Sequence, residues 1–529
     1  MKKILSTFCT LFMLATLWAS APAEVPRLVV AITIDQLRTD YLEMFRHNFG
    51  SGGFNRLLNE GLVYTNIEFD FPHLDRASTI TTIFTGANPS YHGIVGEYRW
   101  SINDNRPVSS FFDNNYTGIF STDRFSPRPI RVSTIANELK IASGGQSDVF
   151  AFAPHASQAL ASGGHSANAS FWLDAENAKW ATSTFFQYRS LVVDQHNRSV
   201  NHSLTYRMGG INWRPATDPA RFNAFPYTRS VANFHHAFTM NPSVALRLFK
   251  QSPYVNTEVV DIALKVLQTN ALGTRRNPDF LALTFYAGTF DNAIDRNFSI
   301  EIQDTYYRLD REIERVLNAV DEAVGLENAL IFVVSTGYFN EQEVIPDGVI
   351  PSGGDFNPER NLALLNMYLM NAFVEGQWIR AFYNQQIFFD RALLERNNID
   401  IAEFQARTAR LLVELSGVQD VITSQQMMLH GAYNQMVSHH RNGFVPGISG
   451  DLFLVLTPGW RIIDPQNPNL QHRVRSNAVL APAIFFGNGI QPQRVTRTIQ
   501  ATEIAPSVSH RLRIRAPNAA RGRILEELL

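Results

Sequence analysis

Residues 71–97 read FPHLDRASTITTIFTGANPSYHGIVGE, and they form the clearest local pattern in the chain. Asp75 is suited to be a helix N-cap, because its carboxylate can accept hydrogen bonds from the amides left unpaired at a helix start. Apolar residues then recur at helical spacing, and Gly86 is typical of a helix end. The pattern predicts a helix that begins near Arg76 and ends before Gly86. Such a helix start, facing a strand end, is a natural place to hold an anion.

Buried strands are predicted on both sides of this helix. The run Leu28 to Ile34 (LVVAITI) is apolar and β-branched, which is typical of a central parallel strand, and Asp35 follows it. Similar runs occur at 149–153, 280–285 and 329–334, with amphipathic helical patterns between them. We therefore expect an α/β fold, a doubly wound and mainly parallel sheet flanked by helices. Ligands of such sheets bind beyond the carboxyl ends of the strands.

Length and charge limit the classes of function. The chain has 529 residues and a formal net charge of -2, which argues against a nucleic-acid partner. We interpret residues 24–529 as one α/β domain. Its cap insertions are expected near 98–130, 175–250 and 360–450, where long periodic segments give way to irregular or separate patterns.

The N-terminus resembles a secretory signal. Lys2 and Lys3 precede an apolar run that ends at Trp18, and small residues follow up to Ala23. This predicts a cleavable signal peptide over residues 1–23 and a periplasmic or secreted protein. A membrane anchor is the alternative, but the run is short for a spanning helix. Cys9, the only cysteine, lies inside this segment, so the mature chain is expected to have no disulfide. No later apolar run is long enough to span a membrane, so we expect no transmembrane segment in the mature chain.

The second half of the opening segment, TTIFTGANPSYHGIVGE, resembles the alkaline phosphatase superfamily. The similarity is greatest to the secreted phosphate-irrepressible alkaline phosphatases and to the type I phosphodiesterases/nucleotide pyrophosphatases. Residues 299–320 and 502–511 resemble helices of the same family, so the resemblance covers about residues 28–512. It implies an alkaline phosphatase-like core and hydrolysis of phosphate esters by a threonine nucleophile assisted by two zinc ions.

The positions that would carry this chemistry hold other residues. Arg76 stands where the family has its threonine, ten residues before Gly86, and Glu97 stands where it has an asparagine. The family's phosphate-binding lysine and arginine correspond to His155 and Ser157, which lack the bidentate fork that phosphate recognition favours. Asp35 alone matches its family position, a zinc-ligating aspartate.

The remaining zinc-ligand positions are also replaced. Counting from matching strands and helices places them at Thr289, Ala293, Thr336, Gly337 and Gln471, with His472 one residue off the last position. Threonine, alanine and glycine supply no zinc ligand of the usual kinds. No histidine occurs between His236 and His430, where the family needs two. Asp291 and Asp295 stay open as displaced ligands, although solvated loop acids are the simpler interpretation.

These replacements lead to an expected function. We expect a catalytically degenerate periplasmic protein, without a zinc cofactor, that binds or scaffolds an unknown envelope protein or ligand. The alternative is a metal-dependent phosphomonoesterase or phosphodiesterase, similar to the nucleotide pyrophosphatases, with rearranged ligands.

A further expectation concerns the charge in the cleft. A buried carboxylate without a partner is costly, so we expect Arg76 to form an ion pair with Asp35, Glu97 or both. The alternative is that Arg76 turns to solvent and pairs with Asp75.

Overall fold

The structure is a computed structural model of the 529-residue chain. It describes residues 24–199, 203–218, 221–222, 233–238, 241–293, 300–339, 353–429, 434–463, 471–474 and 479–529. The expected signal peptide, residues 1–23, lies outside these ranges.

The helices follow the amphipathic patterns of the sequence. In chain order they are α1 Thr39–Met44, α2 Phe54–Glu60, α3 Arg76–Thr85, α4 Pro89–His92, α5 Ile135–Ala142, α6 Ala156–Gly163, α7 Leu191–Arg198, α8 Leu204–Gly209, α9 Pro242–Phe249, α10 Tyr254–Thr269, α11 Ile300–Val324, α12 Pro358–Ala372, α13 Arg391–Arg396, α14 Ile401–Val413, α15 Ser424–Met428, α16 Gln435–Gly443 and α17 Ile504–Arg511. Within the described ranges, no helix has both the length and the apolar character needed to span a bilayer.

The strands include the apolar runs identified above. They are β1 Leu28–Asp35, β2 Leu62–Tyr64, β3 Ile67–Glu68, β4 Tyr98–Ser101, β5 Arg106–Ser109, β6 Gly118–Ile119, β7 Val149–Ala153, β8 Ala169–Leu173, β9 Trp180–Ser183, β10 Asn212–Trp213, β11 His236–Ala237, β12 Asp279–Tyr286, β13 Ala329–Ser335, β14 Asp355–Phe356, β15 Ile379–Tyr383, β16 Gln386–Phe389, β17 Val418–Thr423, β18 Leu452–Leu456, β19 Arg461–Ile463, β20 Gln471–Arg473, β21 Ala483–Gly487, β22 Gln493–Val495 and β23 Ile499–Gln500.

One large sheet forms the centre of the molecule. Its strand order is β22-β2-β21-β13-β1-β12-β7-β8-β9-β6. A block of five strands, β13, β1, β12, β7 and β8, is parallel throughout. At its two ends the block pairs antiparallel with β21 and with β9. Every residue of β1, β12 and β13 is buried, as expected for strands covered by helices on both faces. The predicted α/β fold is confirmed.

The helix predicted from the opening segment is confirmed and lies inside the molecule. Helix α3 has buried residues at every position from Ala77 to Thr85, and Phe84 contacts Phe280 and Phe332 of the central strands. Gly86 ends the helix in the left-handed conformation, with a φ of +65°. This central helix therefore brings its first residue, Arg76, to the carboxyl edge of the sheet.

A smaller unit is built from residues in the range 355–456. Its four strands are ordered β15-β16-β18-β17, and they share an apolar core with α12 and α14 that includes Leu365, Trp378 and Phe404. A hydrogen bond of 3.0 Å joins Asn384, in the turn between β15 and β16, to His73 just ahead of α3. The unit thus contacts the segment that leads into the central helix. The division into one domain with three insertions stays a prediction.

Candidate functional site

The candidate site lies where the parallel strands end. Asp35 is the last residue of β1, and its neighbour in register on β12 is Tyr286. Thr336 follows β13, and Thr336 Oγ1 donates a 3.0 Å hydrogen bond to Asp35 Oδ1. The segment from His155 to Ser157 begins α6 directly after β7. Parallel strands place their carboxyl ends at one edge, so residues far apart in sequence meet in a single cleft.

Asp75 organises the start of α3. Its carboxylate accepts hydrogen bonds from the amides of Ala77 at 3.0 Å and Ser78 at 2.9 Å, as expected for an N-cap. The other carboxylate oxygen accepts a hydrogen bond from the amide of Glu97. One side chain therefore fixes both the helix start that carries Arg76 and the loop that carries Glu97.

Arg76 points into the cleft. Its Nε lies 3.5 Å from Asp35 Oδ2 and 3.9 Å from Glu97 Oε2. The guanidinium therefore pairs with both carboxylates, which confirms the sequence-based expectation, while Asp75 is engaged with backbone amides. The contact with Asp35 lacks hydrogen-bond geometry, so Asp35 Oδ2 has no hydrogen-bond partner among the described residues.

Burial and the guanidinium oppose each other at both carboxyl groups. Burial raises the pKa of Asp35 and of Glu97, and the positive charge of Arg76 lowers both in part. Burial alone would lower the pKa of Arg76, but Glu97 and Asp35 more than offset it, so the net shift is upward. Both carboxyl groups can therefore exchange protons closer to neutral pH than ordinary surface carboxyls do.

A hydroxyl group lies against one of these carboxylates. Ser157 Oγ donates a 3.1 Å hydrogen bond to Glu97 Oε1, and Ser157 is the second residue of α6. Its neighbour His155 is half-buried, and the pKa of this imidazole is lowered well below its usual value by burial and by the charges of Arg76 and Lys250. The cleft opens at Glu97 and Arg76, whose side chains are 27% and 20% exposed. The Glu97 carboxylate thus lies between the Ser157 hydroxyl, which donates to it, and the Arg76 guanidinium.

The positions that correspond to the family's zinc ligands carry no ligand groups, and one of them contacts Asp35 directly. Thr336 donates to Asp35, as described. At Gly337 a Cβ atom would lie 2.5 Å from the ring of Phe69. Thr289 and Ala293 are buried, and the Thr289 carbonyl accepts a 2.6 Å hydrogen bond from the hydroxyl of Tyr286. The described residues contain no group of three or more His, Cys, Asp or Glu side chains arranged to hold a metal ion.

These observations test whether two zinc ions fit. Zinc in proteins requires several thiolate, imidazole or carboxylate ligands. Thr289, Ala293, Thr336 and Gly337 supply none of these groups, and the Arg76 guanidinium lies 3.5 Å from Asp35 Oδ2. The described residues do not fit a two-zinc centre.

The packing at Gly337 gives a testable consequence. Gly337→His, which restores a ligand type of the family, is expected to lower the free energy of unfolding by about 2 kcal/mol, because Phe69 would have to move. Gly144→His is the matched control, since Gly144 has a similar φ of +60° but open space around its Cβ position. Urea denaturation of both variants measures the difference. An equal loss of stability in the two variants would show that backbone strain alone, not overpacking, governs the change.

Among the other candidate ligands, Asp291 is the one whose side chain the structure describes, and neighbouring polar groups hold it. Asp291 pairs with Arg247 and accepts a 3.0 Å hydrogen bond from Gln251. Asp295 lies outside the described residues. Gln471 and His472 lie on β20, which pairs with β19 in a separate three-stranded sheet.

The half of the opening motif that matches the family closely supports the fold rather than the chemistry. His92 Nδ1 accepts a 3.1 Å hydrogen bond from the amide of Ile94, so Nε2 carries the proton and donates to Thr82 Oγ1 of α3 at 3.1 Å. Burial lowers the pKa of His92 to about 3, which keeps the ring neutral. The histidine therefore locks the α4 turn against the central helix.

Two residues of the cleft were missed by sequence reasoning. Tyr286 ends β12 beside Asp35, and burial raises the pKa of its hydroxyl well above the usual value. Lys250 follows α9, and its ammonium group donates a hydrogen bond to the last residue of β8. Neither residue lies in a recognisable motif. Only the pairing of β12 with β1, which the structure shows, indicates Tyr286.

Comparisons with known proteins agree with this fold. The family model described as "Type I phosphodiesterase / nucleotide pyrophosphatase" matches residues 29–478. The chain is 28% identical to a "Calcium-transporting ATPase" of Myroides odoratus, over 99% of this chain and 98% of that protein. It is 26% identical to "Alkaline phosphatase PhoV" of Synechococcus elongatus, with coverages of 95% and 93%. It is also 26% identical to "Alkaline phosphatase PafA" of Elizabethkingia meningoseptica, with coverages of 95% and 94%.

The crystal structure of wild-type alkaline phosphatase PafA has a similar fold. It superposes with a TM-score of 0.80 at 23% identity, covering 96% of this chain and 99% of that one. The predicted resemblance to the alkaline phosphatase superfamily is confirmed.

The expected function must be corrected. The prediction of a catalytically degenerate binding or scaffold protein is wrong, because relatives that match nearly the whole chain are alkaline phosphatases. The prediction equated the loss of zinc ligands with the loss of catalysis. The findings support the alternative, a metal-dependent phosphate-ester hydrolase with rearranged ligands, better than the degenerate protein.

Proposed function

The chain belongs to the type I phosphodiesterase/nucleotide pyrophosphatase family, and on that premise we propose that it hydrolyses phosphate esters in the cleft between Asp35, Arg76 and Glu97. The observation that carries the proposal is the 3.1 Å hydrogen bond from Ser157 Oγ to Glu97 Oε1. A hydroxyl bonded to a carboxylate whose pKa is raised by burial has the arrangement of a nucleophile and its general base.

Each group has a role in this proposal. Ser157 Oγ bonds to phosphorus while the bond from phosphorus to the ester oxygen breaks, and Glu97 passes the serine proton to the leaving oxygen. Water then attacks phosphorus with Glu97 as the base, the bond from phosphorus to Ser157 Oγ breaks, and Glu97 returns the proton to Oγ as phosphate leaves. The Arg76 guanidinium is placed to stabilise the negative charge on the phosphoryl oxygens, because guanidinium groups bind phosphate strongly.

The proposal does not use the family's two zinc ions. The fixed charge of Arg76 stands beside Asp35, and ligand groups are missing at Thr289, Ala293, Thr336 and Gly337. We therefore assign the electrostatic part of the reaction to protein cations and propose no metal cofactor. We also propose that the chain works outside the cytoplasm after removal of residues 1–23, as Lys2, Lys3 and the apolar run support.

Hydrolysis assays test the proposal. The purified mature chain is incubated with p-nitrophenyl phosphate and, separately, with bis(p-nitrophenyl) phosphate, and the release of p-nitrophenol is followed. We expect hydrolysis of at least one of the two esters above the rate in buffer alone. Folded protein that hydrolyses neither ester would overturn the proposed function.

A further inference from the structure

Lys250 carries a buried ammonium group at the carboxyl edge of the sheet. The residue caps the C-terminus of α9 and is 8% exposed. Its Nζ donates a 2.7 Å hydrogen bond to the carbonyl of Leu173, the last residue of β8. The residue before Leu173, Trp172, pairs with Ala153 at the end of β7, the strand that leads into His155 and Ser157. The ammonium therefore lies one strand away from the proposed nucleophile.

The ammonium is poorly compensated. A lysine ammonium has three N–H donors, and within the described part of the chain only the Leu173 carbonyl accepts from it. None of the described carboxylates forms an ion pair with it, and the charges of Asp174, Glu97 and Asp123 act on it only from farther away. A buried charge that lacks a partner is costly, and a bound anion would reduce that cost.

The charges around the ammonium connect it with the cleft. Burial lowers the pKa of Lys250 to about 8, the charge of Arg76 adds to this effect, and Asp174, Glu97 and Asp123 oppose it. Burial lowers the pKa of His155 most, and the positive charges of Arg76 and then Lys250 lower it further. The imidazole is thus within electrostatic reach of both cations, and at neutral pH Lys250 still keeps most of its charge.

We propose that Lys250 is a second phosphoryl-binding cation of the cleft and acts together with Arg76. The proposal rests on the proposed function for its ligand class, a phosphoryl oxyanion. The family's paired cations, two residues apart, correspond here to His155 and Ser157, which have no fixed positive charge. Arg76 from α3 and Lys250 from the end of α9 supply two cations from different elements instead. Lys250 is a specificity-determining residue in this account, since it selects an anionic group.

A purely structural role gives a different expectation. If the ammonium only caps the carbonyl of Leu173, its removal changes the melting temperature but leaves anion binding unchanged. Lys140 offers a matched control, because its Nζ also donates to a backbone carbonyl, that of Gly145, at 3.4 Å.

Calorimetric titration with inorganic phosphate tests the proposal on wild type, Lys250→Met, Lys250→Arg and Lys140→Met. We expect Lys250→Met to weaken phosphate binding at least ~10-fold at pH 7, while Lys140→Met binds like wild type. Wild-type affinity should fall as the pH rises above about 8, because the ammonium loses its proton. Lys250→Arg should bind without this fall, because its charge does not titrate there.

Several results would overturn the proposal. Wild type without measurable phosphate binding is one, and unchanged affinity in Lys250→Met is another. If Lys250→Met fails to fold, equal pH dependence in wild type and Lys250→Arg would still contradict it. Ester hydrolysis is measured on the same samples. Binding that depends on Lys250 without hydrolysis refutes the proposed function alone, whereas hydrolysis with binding independent of Lys250 refutes this inference alone.

Discussion

Arg76→Ala is expected to lower the free energy of unfolding by about 3 kcal/mol at neutral pH, because it leaves the buried carboxylate of Asp35 and the half-buried carboxylate of Glu97 without their cation. Asp35 is 1% exposed, and one of its oxygens has no other partner in the described structure than the guanidinium. Glu97 loses the same cation. Removing one partner of a buried pair costs more than the pair contributes, since the remaining charge stays in a medium that solvates it poorly.

The size of this loss should depend on pH. A carboxyl group whose pKa is higher in the folded chain than in the unfolded chain favours the fold at low pH, and this contribution is lost as the pH rises through the folded pKa. Burial already raises the pKa of Asp35 and Glu97, and removal of Arg76 raises both further. The loss of stability in the variant should therefore be smaller at about pH 4 than at about pH 8.

Urea denaturation at these two pH values measures the effect. Arg56→Ala serves as the control, because Arg56 pairs with the exposed Glu60 and its removal should cost at most ~0.5 kcal/mol. A loss below about 1 kcal/mol in Arg76→Ala at both pH values would contradict the pairing as a stabilising feature. A loss of equal size at both values would show that lost packing, not unpaired charge, is responsible.

Ser157→Ala and Glu97→Gln are each expected to lower kcat for ester hydrolysis by about 1000-fold, because one removes the proposed nucleophile and the other its base. The two effects should not add in the double variant, since both residues act in one step. Steady-state rates with p-nitrophenyl phosphate measure the effect, and melting temperatures show whether each variant is folded.

A second serine on the same helix provides the control for this prediction. Ser162 is buried, and its Oγ donates to the carbonyl of Gln158 at 2.9 Å rather than to a carboxylate of the cleft. Ser162→Ala should therefore keep most of the activity. Folded Ser157→Ala protein that retained more than about a tenth of the wild-type kcat would exclude Ser157 as the nucleophile.

The positions of the cleft residues could be predicted because the parallel sheet fixes them. Asp35 and Thr336 follow apolar runs that form neighbouring strands, so both reach the same edge. Arg76 could be placed because its helix has a clear N-cap and a glycine stop. Its pairing with Asp35 followed from the family resemblance, which puts both residues in one site, and from electrostatics, since a cation and a buried carboxylate at one edge favour contact.

Lys250 and the function could not be predicted in the same way. Lys250 lies about 75 residues beyond the end of β8, in a segment of short helices, and its contact with Leu173 depends on tertiary packing that no local pattern encodes. The prediction of function failed for a different reason. It counted lost ligands one position at a time and did not consider the hydroxyl–carboxylate pair of Ser157 and Glu97, which is a property of the assembled cleft.

The zinc content of active protein tests the central claim most directly. The mature chain is first shown to hydrolyse an ester, and zinc is then measured by elemental analysis before and after dialysis against EDTA, with the activity followed on the same samples. The fixed guanidinium beside Asp35 predicts no stoichiometric zinc and unchanged activity after dialysis. Two zinc ions per chain, with activity that disappears on their removal and returns when zinc is added, would contradict the account.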